Sequence, residues 1–153
     1  ELAYADDYQF HPDPALFFEV PEDGQYVVEI KDAIYRGRPD FVYRITLGEL
    51  PLITGIFPLG GSAGTTTSVK LSGWNLPTDT LTVDARDMTP GIQTLSVRNG
   101  EMTSNSMPLA VDTLPECLDT EPNDSTQDAQ AVSLPVIVNG LCTAMLTTLS
   151  AEA

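Results

Sequence analysis

Four oxygen-bearing side chains lie close together in one short stretch of the chain, Asp119-Thr-Glu121-Pro-Asn123-Asp124. Carboxylate and amide oxygens are hard donors of the kind that calcium prefers. Asp119, Glu121, Asn123 and Asp124 are therefore candidate metal ligands, with Ca²⁺ as the expected cofactor. Because calcium takes about six to eight oxygen ligands, these four alone would form a weak site. A solvated acidic linker has the same composition, so both interpretations stand.

Catalytic chemistry has little support in the sequence. His11 is the only histidine and stands in a predicted loop between Phe10 and Pro12, and a serine or cysteine triad would have to use it. The nucleophile motif Gly-x-Ser-x-Gly is absent. Nothing distinguishes one pair of carboxylates among the 22 acidic residues. We therefore predict no catalytic residues and no enzymatic activity.

Several other residues have a structural interpretation that is simpler than a functional one. Trp74, beside a glycine at a strand end, is expected to be partly buried rather than to bind a sugar. Arg36 and Arg38 are expected to pair with nearby aspartates. The glycine-rich stretch 58–64 lacks the ending of a phosphate-binding loop and predicts a plain turn. Two cysteines remain, Cys117 and Cys142, which either form a disulfide or stay as free thiols.

The charge of the chain restricts its partners. Its 153 residues include 22 Asp and Glu against 7 Lys and Arg, which gives a formal net charge of −15. Nucleic acid and anionic membrane surfaces require a basic face, so neither is an expected partner. No apolar run is long enough to cross a membrane. The hydrophobic content of 42% is sufficient for a packed core.

Alternation of apolar and polar residues predicts a chain that is almost entirely β. Residues 25–31 and 41–47 are predicted to pair as an antiparallel hairpin with a long tip. Further strands follow at the spacing typical of a β-sandwich. The complete set of predicted strands is 15–20, 25–31, 41–47, 52–53 with 56–57, 69–71, 81–83, 92–97, 107–111, 130–134 and 136–139.

Two family resemblances rest on particular motifs. Residues 15–48 contain Val20-Pro-Glu-Asp-Gly-Gln-Tyr26 and Tyr35-Arg-Gly-Arg-Pro-Asp-Phe-Val-Tyr-Arg-Ile45, which resemble the last strands of a bacterial pre-peptidase C-terminal domain. The variant is of the kind associated with large secreted proteins of planctomycete-type bacteria. Two further segments resemble the opening of the same domain: Glu121-Pro-Asn-Asp124 and Val136-Ile-Val-Asn-Gly140. The resemblance implies calcium ligation by the acidic opening segment.

The middle of the chain is similar to an immunoglobulin-type module of the IPT/TIG family. The similarity rests on the following pieces of sequence: Pro51-Leu-Ile53, Phe57-Pro-Leu-Gly-Gly61 with Gly64, Val69-Lys-Leu-Ser-Gly-Trp-Asn-Leu76 closed by Pro77, and the pair Asn105-Ser106. The resemblances together imply an antiparallel β-sandwich with partial jelly-roll-type segments at both ends. They divide the chain into the end of one module (1–48), a whole module (51–112), a linker (113–120) and the start of a third module (121–153).

The function implied by these resemblances is that of a non-catalytic module array in a secreted or cell-surface bacterial protein. Such an array serves as a spacer, an adhesion region or a substrate-binding surface. The alternative is a calcium-stabilised domain of a secreted hydrolase that binds carbohydrate or matrix protein. The expected partners are other domains of the same protein and an extracellular polysaccharide or protein.

The predicted hairpin also implies a partner for itself. Tyr26, Val28 and Ile30 would share one face of the first strand, and Phe41, Tyr43 and Ile45 would share one face of the second. Because a two-stranded hairpin is marginal alone and open edges invite pairing, we expect residues 1–48 to pack on the middle module or to pair with a second copy. Pairing with residues 130–140 of that copy would give a strand-exchanged homodimer.

Overall fold

The computed structural model of the protein describes residues 1–8, 13–32, 34–141 and 147–152. The chain forms two compact units, Glu1–Leu47 and Gly48–Ala153. No helix occurs among the described residues, so the all-β prediction is confirmed. It follows that none of them belongs to a helix long and apolar enough to cross a membrane.

All twelve strands of the described residues lie in the second unit. In chain order they are β1 (Leu52–Phe57), β2 (Gly60–Ser62), β3 (Thr66–Trp74), β4 (Thr80–Asp84), β5 (Gly91–Leu95), β6 (Arg98–Asn99), β7 (Met102–Thr103), β8 (Met107–Asp112), β9 (Glu116–Leu118), β10 (Gln130–Ser133), β11 (Ile137–Asn139) and β12 (Leu149–Glu152).

Two three-stranded sheets form the body of the second unit, in the orders β1-β3-β4 and β2-β8-β5. The first sheet is antiparallel throughout, with Leu52 opposite Trp74 at one end of β1 and Phe57 opposite Lys70 at the other. In the second sheet β5 is antiparallel to β8, whereas β2 is parallel to it. Three further two-stranded sheets pair β6 with β7, β9 with β11, and β10 with β12, and the last two are parallel. The sheets are therefore mixed, and not antiparallel throughout as predicted.

One hydrophobic core is shared by the two three-stranded sheets. Strand β3 shows how the sequence builds it, since Val69 and Leu71 are buried and Lys70 between them is exposed. The members of the core come from both sheets and, for Val97, from the stretch just after β5: Ile53, Ile56, Val69, Leu71, Leu95, Val97 and Leu109. All of them lie inside the predicted module 51–112, and two sheets over one core are consistent with the predicted sandwich.

Strand β2 replaces the plain turn that the glycines of residues 58–64 predict. A side chain at Gly60 would place its Cβ atom 2.6 Å from the carbonyl oxygen of Ala110, and one at Gly61 would reach within 2.1 Å of Thr67 Oγ1. These glycines therefore allow a strand to lie close against its neighbours. The prediction failed because glycine is depleted in strands except where another backbone approaches closely.

The first unit, taken by itself, contains none of the strands predicted at 15–20, 25–31 and 41–47. Among its described contacts, Tyr26 Oη donates to the Glu22 carbonyl (2.9 Å), and the Phe18 and Tyr26 rings lie 5.9 Å apart. The hairpin prediction is thus wrong for this structure. Alternation of side chains is not enough to form a strand, because a strand also needs a hydrogen-bonded neighbour.

Candidate functional site

The candidate site begins where two parallel strands end side by side. Strands β9 and β11 pair with Asn139 opposite Leu118, so the residues that follow them, Asp119 and Gly140, lie together. A Cβ atom on Gly140 would be only 3.0 Å from Asp119 Oδ2. Strand β9 lies in the stretch 113–120 that the sequence assigns to a linker. The first predicted metal ligand is therefore held by a sheet.

Asn139 connects this sheet to the body of the unit. Its side chain is buried, its Oδ1 accepts from the Leu59 amide (3.0 Å), and its Nδ2 donates to Glu116 Oε2 (2.7 Å). Its carbonyl oxygen accepts from the Asp119 amide (2.8 Å). We refer to Asn139 with Leu59, Glu116 and Asp119 as the Asn139 joint. Through the joint the acidic stretch is fixed to the chain between β1 and β2.

Asn123 organises the acidic stretch itself. It is fully buried, its Nδ2 donates to Asp119 Oδ1 (2.6 Å), and its backbone amide donates to Glu121 Oε2 (2.9 Å). The Thr148 amide donates to both oxygens of Asn123, at 3.1 Å for the carbonyl and 3.4 Å for Oδ1. Because Asp119 needs a donor and Thr148 needs an acceptor, the orientation of the Asn123 amide group is fixed.

Gln130 makes a further bridge that sequence reasoning missed. Its Oε1 accepts from the Thr120 amide (2.7 Å) and its Nε2 donates to the Leu118 carbonyl (2.9 Å). The side chain thereby joins the end of β9 to the start of β10. The one signal in the sequence for this bridge is the position of Gln130 at the start of a predicted strand. The residue type gives no signal, because glutamine is common on exposed surfaces.

The four predicted metal ligands are thus brought together only in part. Asp119, Glu121 and Asn123 form one hydrogen-bonded group, whereas Asp124 is exposed and takes no part in it. The Asn123 Oδ1 atom is directed at the Thr148 amide. Within the described part of the chain, no three Asp, Glu, Cys or His side chains are close enough together to hold a metal ion. Calcium binding remains a prediction, and the contacts present are two neutral N–H donors of Asn123, its side-chain Nδ2 to Asp119 and its backbone amide to Glu121.

An open groove lies beside the Asn139 joint. It has a volume of about 370 Å³ and is lined by β2, by the start of β3 and by β9, including Gly61, Thr67 and Glu116. Cys117 lies half-buried in its wall, and the other cysteine, Cys142, lies outside the described residues. Backbone, threonine and serine dominate the lining, so the groove offers hydrogen bonds but no pair of groups suited to acid–base chemistry.

The remaining candidates from the sequence have local roles or lie elsewhere. Arg38 pairs with Asp40 at 2.7 Å, as predicted, and stacks 4.9 Å above the Phe41 ring. For Arg36 the contact with Asp32 is made by the backbone amide, at 3.1 Å from Oδ2, rather than by the guanidinium. Trp74 is half-buried at the end of β3. His11 lies outside the described residues.

Among the described residues, one carboxyl group has a strongly shifted pKa, and it lies on β4 rather than in the acidic stretch. The Arg86 side chain and backbone donate to Asp84 on β4 and lower the pKa of that carboxyl to about 2. Both residues are exposed. The pair is a surface ion pair and indicates no catalytic role.

Comparison with known proteins found no matching family model, no similar curated protein and no similar solved structure.

Proposed function

We propose that the chain is a non-catalytic accessory region of a secreted or cell-surface bacterial protein, in which it acts as a stiff spacer between neighbouring domains. The observation that carries this proposal is the Asn139 joint. A loosely tethered module would be separated from the next by a flexible, solvated stretch. Here the chain passes from β8 through β9 with its polar groups hydrogen-bonded to the preceding core.

The energetics of the joint support stiffness. Each hydrogen bond contributes about 0.5–1.5 kcal/mol net, and leaving a buried partner unsatisfied costs about 1–3 kcal/mol. Asn139 makes three such bonds to residues far apart in the sequence, including Leu59. Of these three bonds, only the one from the Leu59 amide links β11 to the chain between β1 and β2. Bending at this point would leave the buried Asn139 side chain without that partner, so it is unfavourable.

Nuclear magnetic relaxation of backbone amides in the whole chain tests the proposal. We expect amides of β9 and β11 to tumble with the same correlation time as amides of β3 and β8. Asn139→Ala should shorten the correlation time of β9 and β11 alone. Independent tumbling of β9 and β11 in the wild-type chain would overturn the stiff-spacer function.

The matched control is Asn105→Ala. Asn105 also makes two side-chain bonds to a distant backbone, accepting from the Ile53 amide (2.7 Å) and donating to the Ile53 carbonyl (2.9 Å). These bonds hold β1 to the start of β8 and take no part in the joint. The control should therefore destabilise the core without releasing β9 and β11.

The second candidate function is a calcium-stabilised domain that binds carbohydrate or matrix protein. It is favoured by the grouping of Asp119 and Glu121 around Asn123, which leaves one oxygen of each carboxylate without a protein donor in the described residues. Glycan and matrix-protein arrays, probed with and without calcium, separate the two functions. A spacer binds nothing on either array, whereas reproducible calcium-dependent binding would favour the second function.

A further inference from the structure

Asn139 is followed by Gly140, and an asparagine before a glycine is prone to a reaction of its own. Glycine has no side chain to shield its amide nitrogen, so this nitrogen can reach the Cγ atom of the preceding asparagine. Of the five asparagines in the chain, only Asn99 and Asn139 precede a glycine. Both are therefore candidates for loss of the side-chain amide, and their surroundings differ.

The reaction requires water and no other reagent. The Gly140 amide nitrogen attacks Asn139 Cγ, and as the new N–C bond forms, the bond from Cγ to Nδ2 breaks. The Gly140 amide proton leaves with the Nδ2 group as ammonia. Water then opens the resulting succinimide ring at one of its two carbonyls. The product is aspartate or isoaspartate, and either one carries one negative charge more than asparagine.

The Asn139 joint requires both residues of this reactive pair. With one side chain, Asn139 accepts from the Leu59 amide and donates to Glu116 Oε2. An ionised aspartate only accepts and could not replace it. At position 140, a Cβ atom would lie 3.0 Å from both Cβ and Oδ2 of Asp119, so any residue larger than glycine would crowd the strand ends. The reactive pair is thus a consequence of the packing.

The closed joint should slow the reaction at Asn139. Ring closure requires the side chain to rotate until Cγ lies against the Gly140 nitrogen. Asn139 is only 7% exposed, and both polar atoms of its side chain are hydrogen-bonded. Asn99, by contrast, is exposed, and its Nδ2 donates to the Asn75 carbonyl (3.0 Å). Reaction at Asn139 must therefore wait for a local opening of the joint.

The product of the reaction does not fit the closed joint. Asn139 Nδ2 lies 2.7 Å from Glu116 Oε2, so an oxygen of a carboxylate in its place would face a like charge in a poorly hydrated position. Isoaspartate would also lengthen the backbone by one carbon just before Gly140, which would displace that residue from Asp119. Either product therefore keeps the joint from closing again.

We propose that Asn139-Gly140 is a self-deamidation site that the closed joint protects and whose product holds the joint open. Every opening of the joint allows some reaction, and closing does not reverse it. Prolonged or repeated opening thereby converts the stiff spacer permanently into a flexible one. The proposal rests on the spacer function, because a joint that is never closed cannot protect Asn139.

Peptide mass mapping of the whole chain during incubation in mildly alkaline buffer tests the proposal. Cleavage after glutamate separates the two sites, because Glu101, Glu116 and Glu121 lie between them. The same chain unfolded in guanidinium chloride gives the unprotected rate at each site. We expect folding to slow the reaction about a hundredfold or more at Asn139, where two bonds of a buried side chain must break, and no more than about tenfold at Asn99.

Glu116→Ala is the variant that loosens the joint. It removes the acceptor of Asn139 Nδ2 and should raise the rate at Asn139 about tenfold without changing the rate at Asn99. The matched control is Glu116→Gln, which keeps an acceptor oxygen and should leave both rates close to those of the wild type. Sub-denaturing guanidinium chloride gives a second measurement on the wild-type chain, in which the rate at Asn139 should rise before the chain unfolds as a whole.

Amide relaxation of Asn139→Asp, which has the structure of one product, tests the consequence: β9 and β11 should tumble independently of β3 and β8. No reaction at Asn139 in the unfolded chain, no increase in Glu116→Ala, or an Asn139→Asp chain as stiff as the wild type would each overturn the proposal. So would equal rates at Asn139 in the folded and unfolded chain while β9 and β11 stay stiff. Independent tumbling of β9 and β11 in the unreacted wild-type chain is the distinct result that overturns the spacer function as well.

Discussion

Asn123 shows how a single neutral residue can hold an acidic stretch together. Its side-chain Nδ2 donates to Asp119 and its backbone amide donates to Glu121, and both of its oxygens accept from the Thr148 amide. Without the Nδ2 donor, the half-buried Asp119 carboxylate would lose a hydrogen bond that replaces part of its hydration. The residue is therefore a structural requirement of the segment whether or not a cation binds there.

Replacement of Asn123 should destabilise the second unit. Asn123→Ala removes the Nδ2 donor from the half-buried Asp119 carboxylate and the Oδ1 acceptor from the Thr148 amide, and should lower the free energy of unfolding by about 1–3 kcal/mol. Asn123→Asp should cost more, because it turns a donor facing Asp119 into a like charge. Urea denaturation of the whole chain provides the measurement.

The control for that experiment is Asp124→Ala at the neighbouring, exposed position, which should change stability by no more than about 0.5 kcal/mol. Equal losses at positions 123 and 124 would contradict the structural role given to Asn123. So would an Asn123→Asp variant as stable as the wild type.

Sequence reasoning located this group but could not decide its chemistry. A carboxylate oxygen accepts a hydrogen bond from an amide as readily as it binds a cation. The four residues were chosen for their oxygens, whereas the burial of Asn123 and its bonds to Thr148 depend on a segment 25 residues further along the chain. The spacing of residues within one motif does not reveal contacts with such a distant segment.

At the scale of elements, alternation predicted well where the alternating side chains face the shared core. Strands β3, β4 and β8 fall on predicted segments because their buried residues face a shared core. Residues 25–31 and 41–47 alternate equally well but form no strands. Strands β2 and β9 went unpredicted because their partners, rather than their composition, make them strands.

The middle module should fold alone. Every member of the shared core lies between Ile53 and Leu109, so residues 51–112 retain it entire. Removing the rest of the chain takes away two hydrogen-bond acceptors, Asn139 Oδ1 for the Leu59 amide and the Leu114 carbonyl for the Ser62 hydroxyl. Both donors then become available to water. We expect a well-dispersed nuclear magnetic resonance spectrum and cooperative unfolding by urea.

A core variant of the same fragment gives the contrast. Leu109→Ala removes a side chain that is only 2% exposed and should cost about 2–5 kcal/mol, which is enough to unfold a module of this size. A disordered spectrum for the unmodified fragment would contradict the prediction, and would mean that β9 to β12 are needed for the core to form.

At the scale of the whole molecule, a net charge of −15 governs the response to cations. Self-repulsion destabilises a compact chain of such charge, so any salt that screens it should stabilise the fold. A specific calcium site would add to this general effect. Calcium must therefore be compared with magnesium at equal concentration, because both screen alike but magnesium demands stricter octahedral geometry and gives up its water reluctantly.

If the acidic stretch binds calcium, millimolar Ca²⁺ should raise the melting temperature above the value in Mg²⁺, because a ligand that binds only the folded state stabilises it. For a weak site the gain is about 1 kcal/mol, or roughly 2–8 °C for a domain of this size. Asp124→Ala should abolish the gain, whereas Asp87→Ala, which removes an exposed carboxylate elsewhere, should preserve it. Equal melting temperatures in the two cations would support the solvated acidic linker, with Asn123 and the Asn139 joint alone fixing its structure.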